Sequence, residues 1–236
     1  MDHFETSNTV GMPSSDDESQ SSGEFFGAQT PMVSARSALK RDTDEIHQRL
    51  HELPVFADLM AGRLSLHRYR RVMSGFLNFY EEFDSAATDA NQRFSKRLKG
   101  HTYVPRAPMF RADVVALGGK PPTQNPAKKC DLKFGSLAEY VGALYVVDGS
   151  VLGGLIMNKA LKRNADLNGK GGKSYWNWCQ QNGLTHWQYT LKLLERTWRR
   201  EANPAVVTNA ALQTFSILHD RLSEVDTGMC EAAVHE

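Results

Sequence analysis

The chain lacks most of the features that mark secreted, membrane-spanning and nucleic-acid-binding proteins. It has three cysteines, Cys130, Cys179 and Cys230, far apart and in no C-x-x-C pair. An odd, dispersed set supports neither a disulfide framework nor a zinc finger, and it fits a reducing compartment. Charge of either sign is not in excess: the formal net charge is +1, so neither nucleic acid nor an anionic membrane surface is expected as a partner. The first residues, MDHFETSN, show neither the basic start nor the apolar run of a secretory signal. No stretch alternates with period two for long enough to argue for a sheet. No Glu-x-x-His occurs, which sets aside a di-iron bundle despite the cluster Glu81, Glu82 and Asp84. What remains is a soluble, all-α, cytoplasmic protein.

What is present is helical periodicity behind a polar tail. Residues 1–33, with SSDDESQSSGE at their centre, cannot bury enough apolar surface to offset ordering entropy and are expected to be a disordered, acidic, Ser-rich tail. From Ser37, Leu39, Ile46, Leu50 and Leu53 recur at helical spacing until Pro54. Lys40 and His47 form a second line on that helix. His47 reads either as a hydrogen-bonded structural residue or as a metal ligand, since neutral imidazole is the commonest protein ligand for a transition metal; His51, one turn on, could substitute. A helix from Ser65 carries Tyr69, Val72, Met73, Phe76, Phe79, Tyr80 and Phe83 as a broad aromatic face. Prolines and glycines break residues 100–130, leaving a short helix around Arg111 to Leu117. LNGKGGKSYWNW invites a phosphate-loop reading, but Leu167 stands where that motif needs glycine. Its Lys170, Lys173, Tyr175, Trp176 and Trp178 read as an exposed turn, or as the edge of an anion pocket. Two amphipathic helices follow, one with Leu184, Trp187, Leu191, Leu194 and Trp198, the last with Val207, Leu212, Phe215, Leu218 and Leu222. Six to eight helices around one core are expected over residues 34–228, with 229–236 as a short tail.

The organising stretch is Ser136 to Lys162. Ser136 and Glu139 have capping-box spacing, and apolar residues then run almost all round, as in a helix at the centre of a domain. A membrane span is rejected, because Asp148 sits in mid-segment. Gly142, Gly149 and Gly153 share one face, with Gly154 beside them. Each interior glycine forgoes about 1 kcal/mol relative to alanine. The stripe therefore serves either close approach of another helix or a large flat object lying on bare backbone, with a bend at Gly153 and Gly154 to fit it.

LKRDTDEIHQRL, the aromatic second helix and YVVDGSVLGGLIMNKAL together resemble the heme oxygenase family, in particular its bacterial, biliverdin-producing, bacteriophytochrome-associated members, over about residues 36 to 225. The resemblance implies a single-domain, multi-helical heme-oxygenase-like bundle. It makes His47 the proximal ligand of the heme iron and Lys40 the partner of a heme propionate. Gly149, Gly153 and Gly154 become the glycines of a kinked distal helix, and Phe215 an aromatic residue of the pocket wall. It implies heme as cofactor and substrate, O2, and electrons from a separate reductase or ferredoxin, with biliverdin, carbon monoxide and ferrous iron as products and a bacteriophytochrome as biliverdin acceptor. One departure stands out. Many family members carry an aspartate after the first distal glycine, where Ser150 stands here, so Ser150 is the residue expected at the distal water. Asp148 lies about 200° round the helix from it and does not simply replace it. A heme-binding or heme-sensing protein that does not turn over is the alternative, and a relative acting on thiamine-like molecules or through two irons is a third.

Overall fold

The computed structural model describes residues 34–121, 132–167 and 169–226. Both expected tails, 1–33 and 229–236, fall outside these. Among the described residues the chain forms helices and no strand, as the missing period-two pattern requires.

Helix α1 (Ala35–Asp42) starts at Ser34, whose side chain accepts from the Ser37 N–H. The sequence suggests one helix running on to Pro54, but Thr43 breaks it. The Thr43 hydroxyl donates to the Leu39 carbonyl at 2.7 Å, a local bond that competes with the helix ladder, and α2 (Asp44–Glu52) begins again beyond it. Pro54 does end α2, yet it also opens a helix that the sequence reading lacks, α3 (Pro54–Ala61). Proline is favoured at a first helical position because its missing N–H would be unpaired there anyway.

Helix α4 (Leu66–Arg93) is capped by Ser65 and buries the whole predicted aromatic face. Its acidic cluster is consumed structurally. Glu81 pairs with Arg111, Glu82 with Arg221 at 2.5 Å, and Asp84 accepts from the Tyr103 hydroxyl and from the backbone of Arg106 and Ala107. After α5 (Ser95–Leu98) and α6 (Ala107–Ala116), the central stretch forms α7 (Leu137–Gly149) and α8 (Val151–Arg163). Short α9 (Ser174–Trp178) passes through a π turn, Cys179–Gly183, into α10 (Leu184–Trp198), and α11 (Ala205–Asp226) closes the described chain. Breaks at Thr43, Leu53 and Ser150 explain why the helical segments outnumber the six to eight expected.

The turn before α9 is sewn to the core. The Gly172 carbonyl accepts from the Tyr69 hydroxyl at 2.5 Å, and Tyr175 and Trp176 are buried, so these aromatics are packing and do not edge an anion pocket. Leu137–Arg163 is long and apolar enough to cross a membrane, with mean hydropathy 1.5, but 61% of its most apolar window is buried inside the fold. It is a core helix pair. The bend between α7 and α8 falls at Ser150, three residues before the expected glycine pair. The Ser150 hydroxyl donates back to the Val147 carbonyl at 2.8 Å, a bond that commonly bends helices.

The glycine stripe divides by function. A Cβ on Gly142 would lie 2.2 Å from the Val207 carbonyl oxygen, so Gly142 lets α7 and α11 meet backbone to backbone. One on Gly154 would lie 2.8 Å from the Cys179 sulfur. A Cβ on Gly153 would meet nothing nearer than the end of Met157, at 4.0 Å.

Candidate functional site

Two stretches of chain, α1–α3 and α7–α8, are joined at two points. At one end the Tyr145 hydroxyl of α7 lies beside the Thr43 side chain, at the α1–α2 break. At the other, α3 packs on α8, and Gly62 comes so close that a Cβ there would sit 2.7 Å from the Ala160 carbonyl oxygen. Gly62 has φ +67, so both its conformation and its contact require glycine. Between these joints lie α2 on one side and, on the other, a run from Tyr145 to Ala160 that rises about 22 Å at 1.5 Å per residue. Helix α11 packs against α2, α3 and α7 and forms the floor.

The α7–α8 side of this frame presents Gly149, Leu152, Gly153 and Ile156, spaced by three and four residues and hence on one face. Leu152 and Ile156 are exposed, at 38% and 53%. They flank Gly153, whose Cβ position is open, and form an exposed apolar strip on a helix pair that otherwise contributes heavily to the core. Trp187 borders the strip: its ring lies 3.4 Å from a Cβ built on Gly149 and 5.5 Å, centroid to centroid, from Tyr145.

The α2 side presents His47 and His51, both exposed. The His47 ring meets the buried Phe215 of α11 edge-on, with centroids 5.7 Å apart. Partial burial lowers the His47 pKa, Asp44 opposes that shift and Lys40 adds to it. His51 is lowered by burial and by His47. Both imidazoles are therefore neutral at neutral pH, and their Nε2 atoms lie within hydrogen-bonding distance of each other. Lys40 is exposed, and its charge reaches His47.

Behind the bend lies a buried polar cluster. Asp148 accepts from Arg106, from Thr190 at 2.5 Å and from His101 at 3.2 Å, all four side chains being buried. Burial alone would raise the Asp148 pKa, but the Arg106 guanidinium, His101 and Thr190 hold it well below the usual carboxylate range. Asp148 is thus locked into the core as an ion. The Ser150 oxygen is 3.2 Å from the Tyr175 hydroxyl, and Tyr80 lies within hydrogen-bonding reach of both.

Of the residues singled out from sequence, the structure brings His47, Lys40 and Phe215 together, and Gly149 and Gly153 lie on the α7–α8 strip. Gly154, expected beside them, turns to Cys179 instead, and Ser150 sits at the back of the bend. Sequence reading missed the Thr43–Tyr145 joint, the Gly62–Ala160 joint and the Arg106–Asp148 pair. Thr43 and Tyr145 each stand one turn before a singled-out residue, His47 and Gly149, which is the one local signal. Arg106 sits in a proline-broken stretch with no pattern to mark it. A separate hollow of about 550 Å³ at the α1–α10 contact, lined by Arg36, Lys192, Glu195 and Arg196, opens widely to solvent and lies outside the frame. Among the described residues no group of three or more His, Cys, Asp or Glu is placed to hold a metal ion.

The heme oxygenase family model matches residues 33–224. The fold is shared with a heme oxygenase from Leptospira interrogans, at TM-score 0.65 and 18% identity, covering 81% of this chain and 100% of that one. It is also shared with heme oxygenase-1 from the cyanobacterium Synechocystis sp. PCC6803, solved in complex with heme, at TM-score 0.57 and 15% identity, covering 85% of this chain and 96% of that one. No curated protein matches. With the family pattern running through almost all of the described residues, the chain belongs to the heme oxygenase family.

Proposed function

We propose that the protein binds heme between the two joints and cleaves it oxidatively to biliverdin, releasing carbon monoxide and ferrous iron, with O2 and with electrons from a separate reductase or ferredoxin. The observation that supports this reading is a neutral, exposed imidazole set edge-on to Phe215, in a fold whose α7–α8 pair carries an exposed apolar strip with an open glycine. A flat, apolar, metal-bearing ring fits that chemistry: Gly153 leaves open the space a Cβ would fill, and His47 offers a nitrogen ligand. Heme, when bound, supplies the iron at which oxygen is activated and the ring carbon that is oxidised.

The chain's own residues do the rest. His47 binds the iron as a neutral nitrogen ligand, without the electron push of a thiolate that favours O–O cleavage. Lys40 pairs with a propionate. Gly153 admits the ring to the backbone, Gly149 seats the Trp187 ring beside it, and Leu152 and Ile156 exclude water from its face. Ser150 donates its own proton to the Val147 carbonyl and holds a distal water by accepting from it in place of the Tyr175 or Tyr80 hydroxyl. Biliverdin then leaves for an acceptor, a bacteriophytochrome in the members this sequence resembles.

A second reading, heme binding without turnover, is favoured by one observation: Asp148 is locked to Arg106, so no carboxylate stands ready at the bend. Hemin mixed with the protein and an electron donor separates the two. Loss of the Soret band with growth of a red-absorbing bilin supports cleavage; a stable ferrous-CO spectrum without bilin supports binding alone, and no Soret band overturns both.

The glycines give a sharper test. Gly153→Ala should stabilise the heme-free protein by up to about 1 kcal/mol through helix propensity, yet weaken hemin binding. Gly142→Ala should destabilise it by about 1–3 kcal/mol through overpacking against α11. Urea unfolding alongside hemin titration reads both signs. Unchanged hemin affinity in Gly153→Ala would remove this strip from the site.

A further inference from the structure

His47 and His51 stand one turn apart on α2, their ring centroids 4.5 Å and their Nε2 atoms 3.3 Å apart. Without an ion between them, that separation is a long hydrogen bond, one ring donating to the other. It is the right length for something else. In a tetrahedral centre with metal–nitrogen bonds of about 2.0–2.1 Å, two neighbouring nitrogens lie about 3.3 Å apart. The spacing H-x-x-x-H on a helix is also the one by which helices grip zinc with two imidazoles from a single face. The two nitrogens therefore already stand at the spacing of two corners of a tetrahedron.

We propose that His47 and His51 form a chelating site for a divalent transition cation of the zinc, cobalt or nickel class in the heme-free protein, and that filling this site excludes heme. Both side chains are exposed to solvent, so a hydrated ion reaches them, and the ring that donated between the two nitrogens shifts its proton to Nδ1 as the ion binds. Binding exchanges two metal–water bonds for two metal–nitrogen bonds, and each ring then carries its proton on Nδ1. No third His, Cys, Asp or Glu completes a metal-holding group among the described residues, so water fills the remaining positions and the ion stays exchangeable. Asp44, bonded to Gln48 at 2.9 Å, adds negative field nearby, and Lys40 opposes it. The cation occupies the nitrogen that heme would use, so the exclusion half rests on the proposed heme reading. The binding half does not.

Zinc alone is the probe, added to the heme-free full chain and followed by titration calorimetry. One zinc per chain is expected, and His47→Ala and His51→Ala should each abolish saturable binding, with His51→Gln as a second variant that keeps bulk and polarity. Saturable binding that persists in both His51 variants, or none in the wild type, overturns the site. Hemin titration then tests exclusion. Zinc at about ten times its own dissociation constant should raise the apparent hemin Kd about tenfold by competition, and should have no effect on His51→Ala, which keeps wild-type hemin affinity. Zinc held by both histidines without any change in hemin affinity would leave the metal site standing, overturn the exclusion and take His47 out of the heme site.

Discussion

Replacing His47 with alanine is expected to abolish both turnover and the low-spin heme spectrum, and added imidazole should restore them. The side chain is exposed on α2 and makes no buried hydrogen bond, so its loss should leave the fold intact. Its ring contributes an iron ligand, and a small molecule of the same chemistry can stand in the space left beside Phe215. Absorption spectra of hemin-loaded variant and wild type, with and without imidazole, read the result directly. Turnover should drop to background while the unfolding midpoint of the heme-free protein moves little. An unchanged spectrum would transfer the role to His51, whose nitrogen lies one turn away on the same face.

The second large effect concerns stability. Asp148→Ala would leave Arg106 charged and unpaired where its side chain is fully buried. Removing one partner of a buried ion pair costs about 3–5 kcal/mol. For a domain of this size that is a fall of about 10 °C or more in Tm. Arg106 already has two guanidinium nitrogens without a protein partner, and its charge is otherwise met by the Tyr103 and Trp178 rings, at 5.0 and 5.2 Å. Asp84 also feels the Arg106 charge, but its carboxylate is already committed to the Tyr103 hydroxyl and to the Arg106 and Ala107 N–H groups. The paired change Asp148→Leu with Arg106→Met should recover much of the loss, because two apolar groups replace two charges. Calorimetric scans of both variants would settle it, and a Tm within a degree or two of wild type for Asp148→Ala would deny the pair its structural weight. The pH dependence has a definite sign. The folded pKa of Asp148 lies below its ordinary value of 3.8, so its contribution is fully present above that value and is lost as pH falls toward the folded one. Acid unfolding should accordingly be less steep in the double variant.

The helices were legible because their signals are local. The caps at Ser65 and Ser136, the aromatic stripe of α4 and the apolar run of α7 each lie within a few turns of chain, and the structure keeps them. Breaks were not legible at Thr43 or Ser150, where a hydroxyl chooses between solvent and a carbonyl one turn back. That choice is made by packing. The glycines show the same limit from the other direction. Their common face could be read from spacing, but whether each meets a helix, a sulfur or open space depends on α11 and the π turn, far away in sequence. His47 and Phe215 are 168 residues apart in the chain, and no periodicity links them; family resemblance did.

The two joints of the frame have a consequence for what can enter it. Because Thr43 meets Tyr145 at one end and Gly62 meets Ala160 at the other, the aperture between the walls is set by the skeleton, and a guest must match its thickness. At Gly62 the backbone of one wall rests almost on the carbonyl of the other, with no side chain as a spacer. Any larger residue there would act as a shim, prying the far end of the jaw apart and loosening its hold on a thin, planar guest.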